Sequence, residues 1–120
     1  MTKGDTQEAP TITVRRETPL GLLIVRSPLK NRGRVFRVEP GQVIGRKDAD
    51  VLINDRRVSR QHVRLSLTYE SGQPVFSLFD FGTPNGTFVN QTRISDRTVV
   101  QENDAIQLGD HYFVFKILYP

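Results

Sequence analysis

The sequence predicts an all-β domain, built as a sandwich or a barrel, and three observations carry this prediction. No window keeps a helical hydrophobic period over the roughly ten residues that a helix requires. Short apolar or alternating segments instead follow one another, with turn residues about every eight to twelve positions. Similar hydrophobic alternation at the first and last segments indicates that residues 21 and 118 belong to one core.

Each of the first four predicted strands is a short apolar or alternating run that ends at Pro, Gly or a polar turn. These strands are Leu22–Val25, Val35–Val38, Val43-Ile44 and Asp50–Ile53. The next strand, Val63–Tyr69, alternates strictly, and a predicted loop at Glu70–Pro74 separates it from Val75–Phe79. The remaining strands are Thr87–Val89, Arg93-Ile94, Thr98–Val100, Ala105–Leu108 and His111–Leu118.

Length and composition predict one domain behind a flexible tail. Residues 1–19 are the predicted tail, within which Thr11–Val14 fits either a short edge strand or the tail itself, and residues 20–118 are the domain. The chain has 120 residues, enough to bury one core, and no cysteine, which excludes disulfides and thiolate metal sites. No apolar run approaches the ~20 residues of a membrane span, and no secretory signal is visible. We therefore predict a cytoplasmic protein.

Positive charge is concentrated in one segment. Residues 26–64 hold eleven basic residues against four acidic ones, whereas the whole chain has a net charge of +4. Arginine dominates, and its planar guanidinium pairs with phosphate or carboxylate through two hydrogen bonds. A solvated surface, nucleic-acid binding and the binding of a discrete phosphate all remain compatible with this pattern.

Two loops combine residue types that suit a phosphate dianion. Arg46 follows a strand-ending Gly45, and Ser59 and Arg60 lie in a second loop. Arginines Arg56 and Arg57 precede them. A hydrolase built on Ser59 and His62 is disfavoured because no nucleophile elbow or orienting carboxylate is marked, and two histidines without ligand spacing do not predict a metal site.

The segment Thr83–Gly86 predicts a tight turn, with proline at its second position and glycine at its fourth. Asn85 offers an amide that can donate to and accept from an extended peptide backbone. A surface that binds nucleic acid often carries aromatic side chains on which bases stack. The sequence does not indicate such a surface, because the phenylalanines fall in strand patterns and are predicted to be core. These are Phe76, Phe79, Phe81, Phe88, Phe113 and Phe115.

Three short motifs, in this order and spacing, resemble the forkhead-associated (FHA) domain. They are Gly45-Arg46, Ser59-x-x-His62, and Asn85-Gly86 followed by Thr87–Asn90. The resemblance covers roughly residues 20–118. It implies a β-sandwich of about eleven mostly antiparallel strands with ligand-binding loops at one end. It also implies recognition of phosphothreonine peptides, with threonine preferred over serine through its methyl group.

The resemblance implies a role for each motif residue. Residues that contact the phosphopeptide would be Arg46, Arg57, Ser59, Arg60, Thr83 and Asn85, with Arg57 facing the residue three positions after the phosphothreonine. Residues that support the site would be Gly45, His62, Gly86 and Asn90. His62 would brace the loop that carries Asn85.

Two positions depart from the family pattern. Pro84 stands where many members have a threonine whose hydroxyl reaches the phosphate, so one donor is missing. A hydrogen bond to a charged group contributes ~1.5–3 kcal/mol, so we expect affinity to fall by around tenfold or more. Gln91 replaces the usual glycine after Asn90, in a hairpin turn that requires positive φ.

The predicted function is a phosphothreonine-dependent adaptor downstream of a Ser/Thr kinase, with no catalytic residue and no cofactor. One alternative is a scaffold of the same fold that binds partners without phosphate, which Pro84 favours. Another is nucleic-acid binding by the basic 26–64 segment. Self-association is a third, through a phosphorylated threonine of the tail. These threonines are Thr2, Thr6, Thr11, Thr13 and Thr18.

Overall fold

The computed structural model describes residues 18–120 and contains eleven strands. In chain order they are β1 (Leu20–Ser27), β2 (Val35–Val38), β3 (Val43–Gly45), β4 (Val51–Leu52), β5 (Val63–Glu70), β6 (Gln73–Asp80), β7 (Thr87–Val89), β8 (Thr92–Arg93), β9 (Thr98–Val100), β10 (Ala105–Leu108) and β11 (His111–Leu118). One short 3-10 turn, Leu29–Asn31, follows β1. The predicted tail lies outside the described residues except for Thr18 and Pro19, and so does the Thr11–Val14 segment.

The strands form two sheets. The six-stranded sheet has the order β2-β1-β11-β10-β7-β8, and the five-stranded sheet has the order β4-β3-β5-β6-β9. Neighbouring strands are antiparallel except for β3 and β4, which run parallel. The prediction of an all-β sandwich with about eleven mostly antiparallel strands is confirmed.

The core is formed by the inward-facing residues of both sheets. Phe76 of β6 and Phe115 of β11 are each 1% exposed and meet edge to face at 5.8 Å, so the two sheets contact directly through aromatic rings. Phe113 is buried beside them. The prediction that all six phenylalanines are core was wrong for Phe79 and Phe81, which are about two-fifths exposed and pack against each other on the outer surface. Phe88 is only partly buried and lies outside the core cluster.

The connection between β5 and β6 is tighter than the predicted loop at Glu70–Pro74. Pairing continues to Glu70 opposite Gln73, so Ser71 and Gly72 alone make the turn. Both have positive φ, 52° and 78°, which matches a two-residue hairpin turn that follows the strand twist. Pro74 is accommodated because it lies near the strand end, beyond the residues of β6 that pair with β9.

Several connections meet at one end of the sandwich. The 3-10 turn after β1, the segment between β4 and β5, and the β10–β11 hairpin are joined there by hydrogen bonds of Asn31, Asp55 and His111. The β6–β7 loop joins them through His62 and Gly86. Thr18 lies at the other end, beside Leu118, because β1 runs the length of the sheet. Over residues 18–120 no helix has the length and apolar character that crossing a membrane requires.

Candidate phosphopeptide site

The end of β3 is held directly against the loop that carries Ser59. The backbone N–H of Arg46 donates to the Ser59 carbonyl at 2.9 Å, and that of Lys47 donates to the Arg60 carbonyl at 3.2 Å. A Cβ on Gly45 would lie 2.0 Å from the Arg60 oxygen. Glycine is therefore required at position 45 by close approach of two backbones, and the prediction of a supporting role for Gly45 fits this contact.

Arg46, Ser59 and Arg60 line one open cleft, which we call the phosphate cleft. The guanidinium of Arg46 is held by its Nε, which donates to the Val58 carbonyl at 3.0 Å. Both terminal nitrogens of the guanidinium remain outside that bond. The Ser59 N–H is used internally, whereas its hydroxyl makes no hydrogen bond to another described residue. Among the described residues, the cleft thus offers a guanidinium edge and a hydroxyl without a protein partner.

Asp48 also lines the phosphate cleft, and sequence reasoning missed it. Its carboxylate forms an ion pair with the guanidinium of Arg60. The Asp48 backbone has a positive φ of 58°, and its carbonyl accepts from the Gln61 amide at 2.7 Å. An acidic side chain therefore occupies the position next to Arg60 that an anionic ligand would take.

His62 is fully buried beneath the phosphate cleft and connects two loops. Its Nδ1 accepts the Ser59 N–H at 3.0 Å, so the ring carries its proton on Nε2. Nε2 lies 2.9 Å from the Gly86 carbonyl, to which it donates. His62 therefore braces the loop that carries Asn85, as the resemblance implies. We call His62, Ser59, Asp80, Thr83 and Gly86 the His62 cluster.

Asp80 is the charged anchor of the His62 cluster. Its carboxylate accepts the N–H groups of Gly82 and Thr83 at 2.8 and 2.9 Å, and the hydroxyls of Thr83 and Thr87 at 2.8 Å each. Burial opposes ionisation, but these hydrogen bonds outweigh it and hold the pKa of Asp80 below its ordinary value. A stably ionised carboxylate thus fixes the start of the β6–β7 loop.

The predicted peptide contact from Thr83 does not fit its position. The side chain is buried, and its hydroxyl donates to Asp80, accepts from the Gly86 N–H at 3.0 Å and lies 3.2 Å from His62 Nε2. A hydroxyl with these partners has no free direction towards a ligand. We therefore correct the assignment of Thr83 from a ligand contact to a supporting residue.

The exposed part of the same turn is Pro84 and Asn85. The Asn85 amide nitrogen donates to the Arg57 carbonyl at 2.9 Å, which leaves its oxygen available at the surface. Arg93, which sequence reasoning did not single out, donates to the carbonyls of Thr83 and Pro84 at 3.1 and 3.2 Å. Gly86 has a φ of 79°, and a Cβ there would lie 2.5 Å from Arg93 Nε. The turn is thus held by Arg57 through Asn85 and by Arg93 through two carbonyls.

A second buried histidine organises the neighbouring loops. His111 Nδ1 donates to Asp55 Oδ2 at 2.8 Å, and its Nε2 accepts from the Asn31 amide at 3.2 Å. Asp55 also accepts the N–H groups of Arg57 and Asp110, at 2.8 and 2.7 Å. Burial opposes ionisation of Asp55, but its bonds to His111 and the two N–H groups hold its pKa below the ordinary value. We call these five residues the His111 cluster.

Asn90 does not reach the phosphate cleft through any described hydrogen bond. It lies in the β7–β8 turn, where its side chain donates to Asp104 at 3.0 Å and accepts from the Ala105 N–H at 2.9 Å. Its support is therefore for strand pairing, which corrects the implied role in the site. Asn90 and Gln91 both have positive φ, 50° and 73°, so the turn takes the conformation expected of it despite the glutamine.

Comparison with known proteins places this geometry in a family. The family model described as the FHA domain matches residues 42–109. The chain is 34% identical to the glycogen accumulation regulator GarA of Mycolicibacterium smegmatis over 78% of its own length and 57% of the relative's. It is 30% identical to the oxoglutarate dehydrogenase inhibitor of Corynebacterium glutamicum over 94% of its own length and 78% of that relative. The chain thus spans little more than half of GarA.

A solved structure from work on phosphothreonine-dependent FHA domain interactions superposes with a TM-score of 0.66 at 26% identity. The match covers 84% of this chain and 98% of the solved chain. The family model and the superposition thus agree on the same family. The chain therefore belongs to the FHA domain family, a family of phosphothreonine-peptide binding modules.

Proposed function

We propose that this domain binds a phosphothreonine-containing protein segment in the phosphate cleft and acts as a non-catalytic adaptor downstream of a Ser/Thr kinase. The observation that carries the proposal is the convergence of Arg46, Ser59 and Arg60 on one cleft, with Asn85 on the adjoining turn. These side chains come from three separate loops. The family match supports the same conclusion.

The cleft suits the charge and the acceptors of a phosphate group. A phosphorylated side chain carries about −1.5 to −2 charge and three acceptor oxygens. The two terminal nitrogens of Arg46 can donate a bidentate pair of hydrogen bonds to the phosphate, and the Ser59 hydroxyl supplies a third donor. Arg60 joins them when the phosphate replaces Asp48 as its partner. The Asn85 amide oxygen then accepts a backbone N–H of the extended peptide.

The names of the relatives support a regulatory role. The chain resembles a regulator of glycogen accumulation and an inhibitor of oxoglutarate dehydrogenase. The common element of the two names is regulation, and we propose that this chain regulates a partner protein by binding to it. The proposed partner is a phosphorylated protein, and the proposed compartment is the cytoplasm.

The test is a titration of the domain with phosphothreonine, phosphoserine and unmodified forms of one peptide. We expect binding in the order phosphothreonine, phosphoserine, unmodified. Ser59→Ala and Arg46→Ala should each weaken phosphothreonine binding about tenfold or more, because each loses a hydrogen bond to a charged group. Arg97→Ala, an exposed arginine outside the phosphate cleft, is the control and should bind as the wild type does. Equal affinity for all three peptides contradicts the proposal.

A phosphate-independent scaffold is the second candidate, and two observations favour it. Arg60 already has an acidic partner in Asp48, and Pro84 removes a donor from the turn. In that case the domain would retain its partner after phosphatase treatment, and Ser59→Ala would not change the affinity.

A further inference from the structure

A second depression lies at the loop end of the sandwich, next to Arg57. Its lining includes Lys30, Asn54, Arg56, Arg57, Asp110 and His111. A neighbouring recess shares Lys30, Asn54 and His111 and adds Arg34 and Phe36. Because the two share three residues, they form one continuous surface. We call this surface, lined by Lys30, Arg34, Asn54, Arg56 and Arg57, the basic cleft.

Positive charge in the basic cleft exceeds the negative charge beside it. Asp55 is buried, and both of its oxygens already accept hydrogen bonds from the His111 cluster. Asp110 pairs with Arg57 at 3.6 Å. Across residues 18–120, the ion pairs do not involve Lys30, Arg34 or Arg56. Within the part of the chain that the structure describes, three cationic groups thus converge without an acidic partner, an arrangement that an anionic ligand would stabilise.

The floor of the basic cleft is fixed by buried hydrogen bonds. The chain of bonds from Asn31 through His111 to Asp55 ties the 3-10 turn carrying Lys30 to the loop carrying Arg56. The Val58 N–H also donates to the Asp55 carbonyl, at 3.0 Å. Arg34 is held over the Phe36 ring at 4.9 Å. The cationic groups therefore project from loops whose relative positions are set before any ligand binds.

Arg57 connects the basic cleft to the phosphate cleft. Its side chain lines the basic cleft, while its carbonyl accepts the Asn85 amide. Ser59 lies two residues further along the same loop. We expect an extended peptide held by Ser59 and Asn85 to pass Arg57, which the resemblance places against the residue three positions after the phosphothreonine, and to continue towards Lys30 and Arg56.

We propose that the basic cleft binds anionic side chains of the phosphothreonine peptide itself, carboxylates or a second phosphate, located C-terminal to the residue that Arg57 faces. This proposal rests on the proposed function and extends it to a second subsite on the same ligand. The residues that distinguish acidic from neutral peptides are then Lys30 and Arg56, with Arg34 beside them. The contacts that the phosphate cleft and Arg57 make with the peptide are the same for acidic and neutral peptides.

The experiment compares four phosphothreonine peptides by fluorescence anisotropy at physiological ionic strength. The first carries a run of glutamates after the residue that faces Arg57, and the second carries glutamines there. The third carries the glutamates N-terminal to the phosphothreonine, and the fourth carries a second phosphothreonine in place of the C-terminal run. The proteins are the wild type, Lys30→Gln/Arg56→Gln, and the charge-matched control Arg37→Gln/Arg97→Gln, whose residues lie outside the basic cleft.

We expect the wild type and the control to bind the first peptide about fivefold more tightly than the second, the size of a few exposed ion pairs. Lys30→Gln/Arg56→Gln should lose this preference while it still binds the glutamine peptide. A larger gain for the fourth peptide than for the first would identify phosphate as the preferred anion, and a smaller gain would identify carboxylate.

Three outcomes overturn the proposal. One is a preference that persists in Lys30→Gln/Arg56→Gln, and another is an equal gain from the N-terminal glutamates, which would indicate general attraction. The third is displacement of the acidic peptide by a single-stranded oligonucleotide with steep salt dependence, which would assign the cleft to nucleic acid. Failure of the wild type to bind the glutamine peptide contradicts the proposed function instead, so the two failures are distinguishable.

Discussion

The two buried histidines at the loop end make different kinds of contact. His62 contacts backbone groups of two loops, Ser59 and Gly86, and Asp80 enters its cluster mainly through the Thr83 hydroxyl. His111 instead bonds directly to the carboxylate of Asp55. The first arrangement fixes the phosphate cleft, and the second fixes the loops around the basic cleft. Backbone partners set loop position directly, so His62 should control ligand affinity more strongly than His111.

His62→Ala should have the largest effect. It leaves the Ser59 N–H and the Gly86 carbonyl without partners in a fully buried position and opens a cavity. We expect a loss of about 3 kcal/mol in unfolding free energy by urea denaturation. Phosphopeptide affinity, measured at a temperature where the variant is folded, should fall about tenfold or more.

His111→Ala is the matched variant. Asp55 keeps its two N–H donors, so we expect a smaller loss of about 2 kcal/mol and a phosphopeptide affinity close to that of the wild type. If His111→Ala weakens phosphopeptide binding more than His62→Ala, the comparison between the two clusters is wrong.

Thr83→Val should come next, because it removes a hydroxyl that bonds to Asp80 and Gly86 while keeping the side-chain shape. We expect a decrease of about 2 kcal/mol in unfolding free energy by urea denaturation. Thr83→Ser keeps the hydroxyl and should retain wild-type phosphopeptide affinity. If Thr83→Ser instead binds the phosphopeptide clearly more weakly than the wild type does, Thr83 returns to the residues that touch the ligand.

Acidification should lower the stability of the domain through the carboxylates of Asp55 and Asp80. The pKa values of Asp55 and Asp80 are held below their ordinary value of 3.8, so their contribution to stability is present above that pH. It is lost as the pH falls through the lower folded values. We expect unfolding free energy to decrease steadily below a pH of about 4, and Asp80→Asn to flatten that decrease. An unchanged acid slope in Asp80→Asn would exclude this role.

Asp48→Asn should have the smallest effect, and in the opposite direction. Removing the carboxylate frees Arg60 from its ion pair, so phosphopeptide affinity should rise about threefold, the scale of an exposed pair. Asp96→Asn, an exposed acid outside the phosphate cleft, is the charge-matched control and should change affinity less. Equal gains from both variants would mean that net charge, rather than Asp48, sets the effect.

Local signals in the sequence revealed the fold and, together with the family resemblance, the position of His62 between two loops, but not its partners Asp80 and Thr83. Short alternating segments located all eleven strands, and Ser59 and His62 are three residues apart, so their contact follows from a loop entering a strand. The His111 cluster was not found, because Asn31, Asp55 and His111 are brought together only by strand order. Thr83 was assigned to the ligand because its burial could not be predicted, and Asp48 was missed because its ion pair with Arg60 could not. Both depend on loop conformation, which residue type does not specify.

The close approach at Gly45 affects how the domain responds to a ligand. Since no side chain separates the end of β3 from Arg60, the wall of the phosphate cleft cannot move away without breaking sheet hydrogen bonds next to it. The cleft is therefore preorganised, and its local opening is coupled to that of the core. Binding then requires little ordering of the protein backbone, so the entropic cost of association falls mainly on the peptide.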